Sequence, residues 1–111
     1  MSLLLRSEFL IDNFPCVFLD PPKITEHPVN SSVEVGGKVT LYCSASGDPL
    51  PTFEWFKNGI KMVEAGGIKP FLPELVLENA LNEDEARYYC EAKNEVGTAR
   101  SNWASLKVFG E

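Results

Sequence analysis

Three cysteines, Cys16, Cys43 and Cys90, are the most reactive side chains in this 111-residue chain, and His27 is its only histidine. No Cys-x-x-Cys pair occurs. A zinc centre needs about four ligands at suitable spacing, so these residues do not read as a metal site. Nucleophilic catalysis fares no better: there is no Gly-x-Ser-x-Gly elbow and no second histidine from which to build a triad. Glu83-Asp84-Glu85 gathers three carboxylates, but it lacks the ligand spacing of an EF-hand loop and reads as a solvated turn. Nothing resembles a phosphate loop. What remains is thiol oxidation, since three cysteines permit one bridge and leave one thiol over. The chain is therefore expected not to be an enzyme, with no cofactor, metal or small-molecule substrate.

Bulk composition narrows the partners. A net charge of −6 argues against nucleic acid, which calls for a basic stripe to neutralise phosphates. With 44% apolar and 23% charged residues, the chain has an ordinary globular balance and the length of one domain. No apolar window is long enough for a membrane-spanning helix, so membrane insertion by this segment is not expected. The opening "MSLLLRSEFLIDNFPC" is apolar but interrupted by Arg6, Glu8 and Asp12, and it lacks the clean apolar middle and cleavage site of a signal peptide. Residues 1–20 are read as an N-terminal extension, a linker or cover segment, ahead of a domain over 21–109. Asn30-Ser31-Ser32 fits the N-glycosylation sequon.

The elements that must position these residues are short and alternating. "KVTLYCSA" puts Val39, Leu41, Cys43 and Ala45 on one face. "TFEWFK" sets Phe53 and Trp55 against Glu54 and Phe56. "ELVLEN" offers Leu75 and Leu77, "ARYYCEAKN" offers Tyr88, Cys90 and Ala92, and "ASLKV" offers Ala104, Leu106 and Val108. Period-two runs separated by turns such as Gly36-Gly37 and Asn58-Gly59 predict an all-β sandwich. "ENALNEDEA" has room for one helical turn at most.

Cys43 and Cys90 lie 47 residues apart, and Trp55 falls 12 after the first. From Leu75 the chain runs Leu75-x-Leu77-x-x-Ala80-x-x-x-Asp84-x-Ala86-x-Tyr88-x-Cys90-x-Ala92-x-Asn94-x-x-Gly97. Over about residues 22 to 109 this resembles the intermediate (I-set) immunoglobulin domains. The resemblance implies a two-sheet antiparallel immunoglobulin sandwich in which Cys43 and Cys90 bridge the sheets and Trp55 packs on them. If oxidised, so long a loop would stabilise the fold by roughly 4 kcal/mol in the chain-entropy picture. Two departures stand out. Ala86 replaces the usual glycine, and one extra residue between Gly97 and Leu106 predicts a β-bulge or a longer turn before the last strand.

The same resemblance assigns the adjoining tyrosines different work. Tyr88 takes the tyrosine-corner position, ring buried and hydroxyl bonded back to backbone, with Asp84 capping the turn. Tyr89 has the opposite parity and points out. Counting likewise places Phe56 and Trp103 outward, on strands C and G, which the fold puts in one sheet with strand F. Phe56, Tyr89 and Trp103, edged by Arg87, Glu91, Glu54 and Lys93, are expected to form an outer-face patch. A large apolar patch edged by charge normally meets something, and Tyr, Trp and Arg are enriched where partners bind. Aromatic pairing within the sheet, or a cover supplied by the extension as a short helix over 3–10, are the other readings.

The resemblance implies a protein-recognition module from an adhesion molecule or receptor ectodomain. It would bind a protein partner or itself through the C–F–G face, at the cell surface or outside the cell, with Asn30 glycosylated. The alternative is a cytoplasmic scaffold or spacer domain with reduced cysteines. That domain would be of the muscle-filament type or of the paracaspase type, whose ending "WASLKV" (Trp103 to Val108) resembles; the odd Cys16 sits more easily in a reducing compartment.

Overall fold

A computed structural model describes residues 10–11, 14–15 and 19–110 of the chain. Cys16 and the helix expected over 3–10 fall outside these residues, apart from Leu10, which lies in a strand instead. Leu10–Ile11 (β1) pairs antiparallel with Phe14–Pro15 (β2) as a ladder of its own. Among the described residues no helix is long and apolar enough to cross a membrane.

The domain body is two layers of strands. The larger sheet is ordered β4 (Ser31–Glu34), β12 (Ala104–Phe109), β10 (Ala86–Lys93), β7 (Thr52–Lys57) and β8 (Ile60–Lys61), with β11 (Thr98–Arg100) also on β10. β4 runs parallel to β12, and the other pairs are antiparallel. The opposing layer holds two ladders, β3 (Asp20–Glu26) with β6 (Ser44–Asp48), and β5 (Val39–Tyr42) with β9 (Glu74–Leu77). In this arrangement β7, β10 and β11–β12 take the places expected of strands C, F and G.

Local sequence explains the joins. Asn58 and Gly59 both have positive φ, 51° and 86°, and separate the paired residues Lys57 and Ile60. This is the primed turn whose twist matches a two-residue hairpin, and Asn-Gly adopts it at the lowest cost. Asn82–Asp84 forms a single 3₁₀ turn before β10. There the Asp84 carboxylate accepts the Leu81 N–H at 2.8 Å, and the Tyr88 hydroxyl donates to the Asp84 carbonyl at 2.7 Å.

Between the layers lie Leu41, Cys43, Trp55, Leu75, Tyr88, Cys90 and Leu106, all almost wholly buried. Cys43 and Cys90 are joined as a disulfide, with Cα atoms 6.6 Å apart. The buried Trp55 indole N–H donates to the Leu72 carbonyl at 2.8 Å, which meets the requirement that a desolvated donor find an acceptor. On β12, Ala104, Leu106 and Val108 are buried while Ser105, Lys107 and Phe109 are exposed. That alternation leaves the outer face of the larger sheet free to carry other residues.

Candidate functional site

The outer face is assembled by three strands. β10 is central, and its register sets Tyr89 opposite Phe56 and Glu91 opposite Glu54 on β7. On its other side Glu91 faces Arg100, and Tyr88 faces Ala104. The spacing from Arg100 to Ala104 on one strand is matched by that from Glu91 to Tyr88 on the other, which is one residue shorter. A bulge at Ser101-Asn102-Trp103 absorbs the extra residue, where the sequence spacing predicts it.

The bulge is built around a hydroxyl. Ser101 is buried, and its Oγ accepts the Cys90 N–H at 2.9 Å, while the Ser101 N–H donates to the Cys90 carbonyl at 2.9 Å. The Asn102 N–H donates to Nδ1 of His27 at 2.9 Å. His27 directly follows β3 and anchors the bulge. These bonds aim Trp103 outward over β10.

Five side chains then stack across the face. The Phe56 and Tyr89 rings lie 4.8 Å apart between centroids and within 10° of parallel. Trp103 meets Tyr89 edge-on, centroids 4.6 Å apart at 84°. The Arg87 guanidinium sits 4.4 Å from the Trp103 ring centroid, and that of Arg100 sits 4.5 Å from the Tyr89 centroid. Both distances fall within the range where a cation is attracted to the negative face of a ring.

Accessibility departs from the sequence expectation at Tyr89. Parity gives it the outer side, and it does not belong to the core between the layers. Yet only 4% of it is exposed, because Phe56, Trp103 and Arg100 cover it. Trp103 remains 41% exposed, Phe56 and Glu91 are half-buried, and Arg87 is exposed. Lys93 is exposed at the end of β10.

Charge is arranged in pairs. Glu54 and Glu91 stand directly opposite, an unfavourable placement by itself. Lys61 meets Glu54 at 3.1 Å, and Arg100 meets Glu91 at 3.1 Å through its terminal nitrogen and 3.2 Å through Nε. Each carboxylate thus has its own cation. Arg100, Lys61, Ser101 and His27 were not singled out by sequence reasoning for this face. The available signal was Arg100's position on the strand beside an outward glutamate.

A cleft of about 420 Å³ is lined by Asn58, Glu85, Arg87, Ser105 and Lys107 among others, and Arg87 links it to Trp103. Asn30 lies at its far edge of the sheet, its side-chain oxygen accepting the Ser105 N–H at 2.8 Å. Among the described residues no group of three or more His, Cys, Asp or Glu side chains is placed to hold a metal ion.

Residues 21–94 match the family model of the immunoglobulin domain. The chain belongs to the immunoglobulin superfamily. Human Roundabout homolog 2 is 36% identical over 97% of the chain and 9% of that protein. The tyrosine-protein phosphatase Lar of Drosophila melanogaster is 38% identical over 80% of the chain and 5% of its own length. The neural cell adhesion molecule L1 of Takifugu rubripes is 35% identical over 79% and 8%. The chain thus spans a tenth or less of these curated relatives. Among solved structures it is similar to the tandem Ig repeats of Dlar, with a TM-score of 0.73 and 35% identity over 79% of this chain and 48% of that one. A chimeric titin Z1Z2 gives a TM-score of 0.74 at 28% identity, over 85% and 100%.

Proposed function

We propose that this immunoglobulin domain is a non-enzymatic protein-recognition module of a cell-surface adhesion molecule or receptor, and that it binds through the outer face of β7, β10 and β11–β12. The observation that carries this reading is the stack of Arg87, Trp103, Tyr89 and Phe56. An exposed tryptophan held edge-on by a buried tyrosine, with a guanidinium over its ring, is a rigid anchor that loses little entropy when a partner covers it. The cleft that shares Arg87 with this stack sets Arg87 and Lys107 against one carboxylate, Glu85, whose oxygen already accepts the Val108 N–H, and so favours a partner that brings carboxylates to it. The relatives named as adhesion and receptor-type proteins support the cell-surface setting, as does a Cys43–Cys90 disulfide, which persists in oxidising compartments.

Asn30 fits a glycan in the same setting. It is exposed on the approach to β4, where its side-chain oxygen accepts the Ser105 N–H and the amide nitrogen, the atom a glycan joins, takes no part in that bond. Mass spectrometry of the protein from its native source tests the setting: a Cys43–Cys90 bridge with glycan on Asn30 is expected. Free thiols with a bare Asn30 would instead favour an intracellular spacer, the reading to which the likeness to titin points.

A further inference from the structure

The segment 62–73 between β8 and β9 carries only an isolated bridge from Ala65 to Ile68. β9 consequently has a partner on one side, β5, and an open edge on the other. The direction of its ladder can be read from Cys43, whose N–H donates to the Pro73 carbonyl at 2.9 Å. That pair continues the register Leu41 with Leu75 and Val39 with Leu77. Antiparallel pairs exchange bonds at alternate positions, so Leu75 and Leu77 bond toward β5, while the N–H and C=O groups of Glu74 and Val76 face the open side. Among the described residues, no turn or loop backbone group bonds to those of Glu74 or Val76.

Side chains alternate along the same strand. Leu75 and Leu77 are buried, and Glu74, Val76 and Glu78 lie on the outer face. A cleft of about 210 Å³ is bounded by these three together with Gly67, Lys69 and Leu72. A second of about 320 Å³ adjoins it along Val76, Leu77 and Glu78. Gly66 and Gly67 cross here with positive φ and open space where a Cβ would stand.

We propose that the open edge of β9 takes up an extended segment of another protein as an added antiparallel strand, apolar at its centre and basic at both ends. An unpaired edge is a template for such addition, and main-chain bonds supply the attraction. Charge selects the occupant. A strand centred opposite Val76 sets its flanking outward residues against Glu74 and Glu78, where Lys or Arg is favoured and acidic residues are repelled. A second copy of this chain is disfavoured by the same rule. Glu74 to Glu78 reads Glu-Leu-Val-Leu-Glu in both directions, so self-pairing about Val76 would set Glu74 against Glu78 twice.

This site lies apart from the aromatic face, and its test is independent of it. The isotope-labelled chain is titrated with the capped peptide Ser-Lys-Leu-Val-Leu-Lys-Ser and followed by NMR. Shift changes and slowed hydrogen exchange are expected at the Glu74 and Val76 amides. Glu74→Lys with Glu78→Lys should weaken this peptide by about fivefold, the worth of two exposed charge pairs, and should strengthen Ser-Glu-Leu-Val-Leu-Glu-Ser by a similar factor. Trp103→Ala should leave both peptides unaffected. No shift at millimolar peptide would overturn the proposal, as would binding indifferent to the charge swap, or shifts confined to Phe56, Tyr89 and Trp103. Concentration-dependent protection of Val76 without peptide would also overturn it, by showing that a second copy takes the edge.

Discussion

Tyr88 and Tyr89 adjoin in the chain and both lose nearly all contact with water, 0% and 4% exposed, yet they are buried on opposite faces of β10. Tyr88 is sealed between the sheets by packing against the disulfide-bearing core. Tyr89 is sealed on the outside by Phe56, Trp103 and Arg100. The first burial is a property of the sandwich. The second depends on three side chains, one of which, Trp103, is itself still exposed to solvent.

The inner tyrosine should report on alkaline stability. Burial, and secondarily the Asp84 carboxylate, push the Tyr88 phenol well above its ordinary value of 10.0. The unfolded chain therefore releases this proton first, from about pH 10, and above that pH the folded state binds more protons, so stability falls as pH rises. The contribution is intact below pH 10. Tyr88→Phe should cost about 1 kcal/mol at neutral pH through the lost bond to Asp84. Urea melts from pH 7 to 11 should show that gap narrowing above pH 10. Parallel losses in both proteins would refute the assignment.

The outer pair should separate stability from recognition. Tyr89→Ala removes a buried ring and should destabilise the domain by about 3 kcal/mol. Trp103→Ala removes a ring that is 41% exposed and should cost about 1 kcal/mol, the worth of its aromatic and cation–π contacts. If the face recognises a partner, Trp103→Ala should nonetheless reduce binding by about tenfold or more, as loss of an anchor does. Thermal melts together with binding to the extracellular regions of candidate partners, or to the chain itself, check both halves. Binding unaltered in a folded Trp103→Ala protein would remove the face from consideration.

How far the sequence carried can be judged residue by residue. Side-chain parity is a local property of a pleated strand, so the sides taken by Phe53, Trp55, Tyr88 and Ala104 follow from counting. The bulge also follows from counting, since an extra residue must go somewhere. Accessibility is not local. Tyr89 is covered by residues from β7, the bulge and β11, and its burial depends on which long side chains lean over it. The bulge itself reverses parity between Arg100 and Ala104, which hid Arg100 from simple alternation. The bare edge of β9 was equally illegible, because it results from what 62–73 fails to form, and a missing strand leaves no periodic signal.

The Ser101 hydroxyl should prove a structural necessity. It is the acceptor for the Cys90 N–H at a point where the bulge has taken the ordinary ladder partner away. Ser101→Ala leaves that N–H buried without an acceptor, a cost of about 2 kcal/mol. The same change loosens the turn that aims Trp103, so tryptophan fluorescence should shift toward that of a more solvated indole. Native-state hydrogen exchange at the Cys90 amide offers a direct check, with loss of protection expected. Unchanged protection would show that another group satisfies it.

Arg100 should matter through salt-sensitive pairing. It binds the Glu91 carboxylate and lies over the Tyr89 ring, and without it Glu91 faces Glu54, which is paired with Lys61, with its own salt bridge lost. Because the guanidinium is exposed, the expected loss in Arg100→Ala is modest, about 0.5–1 kcal/mol at low ionic strength. Screening weakens both the attraction lost and the repulsion uncovered, so the gap from the parent protein should shrink as salt is raised. Arg100→Lys retains the charge but not the planar fork or its stacking on the ring, and should recover only part of the difference. A gap insensitive to salt in Arg100→Ala would assign the residue's role to packing over Tyr89 alone.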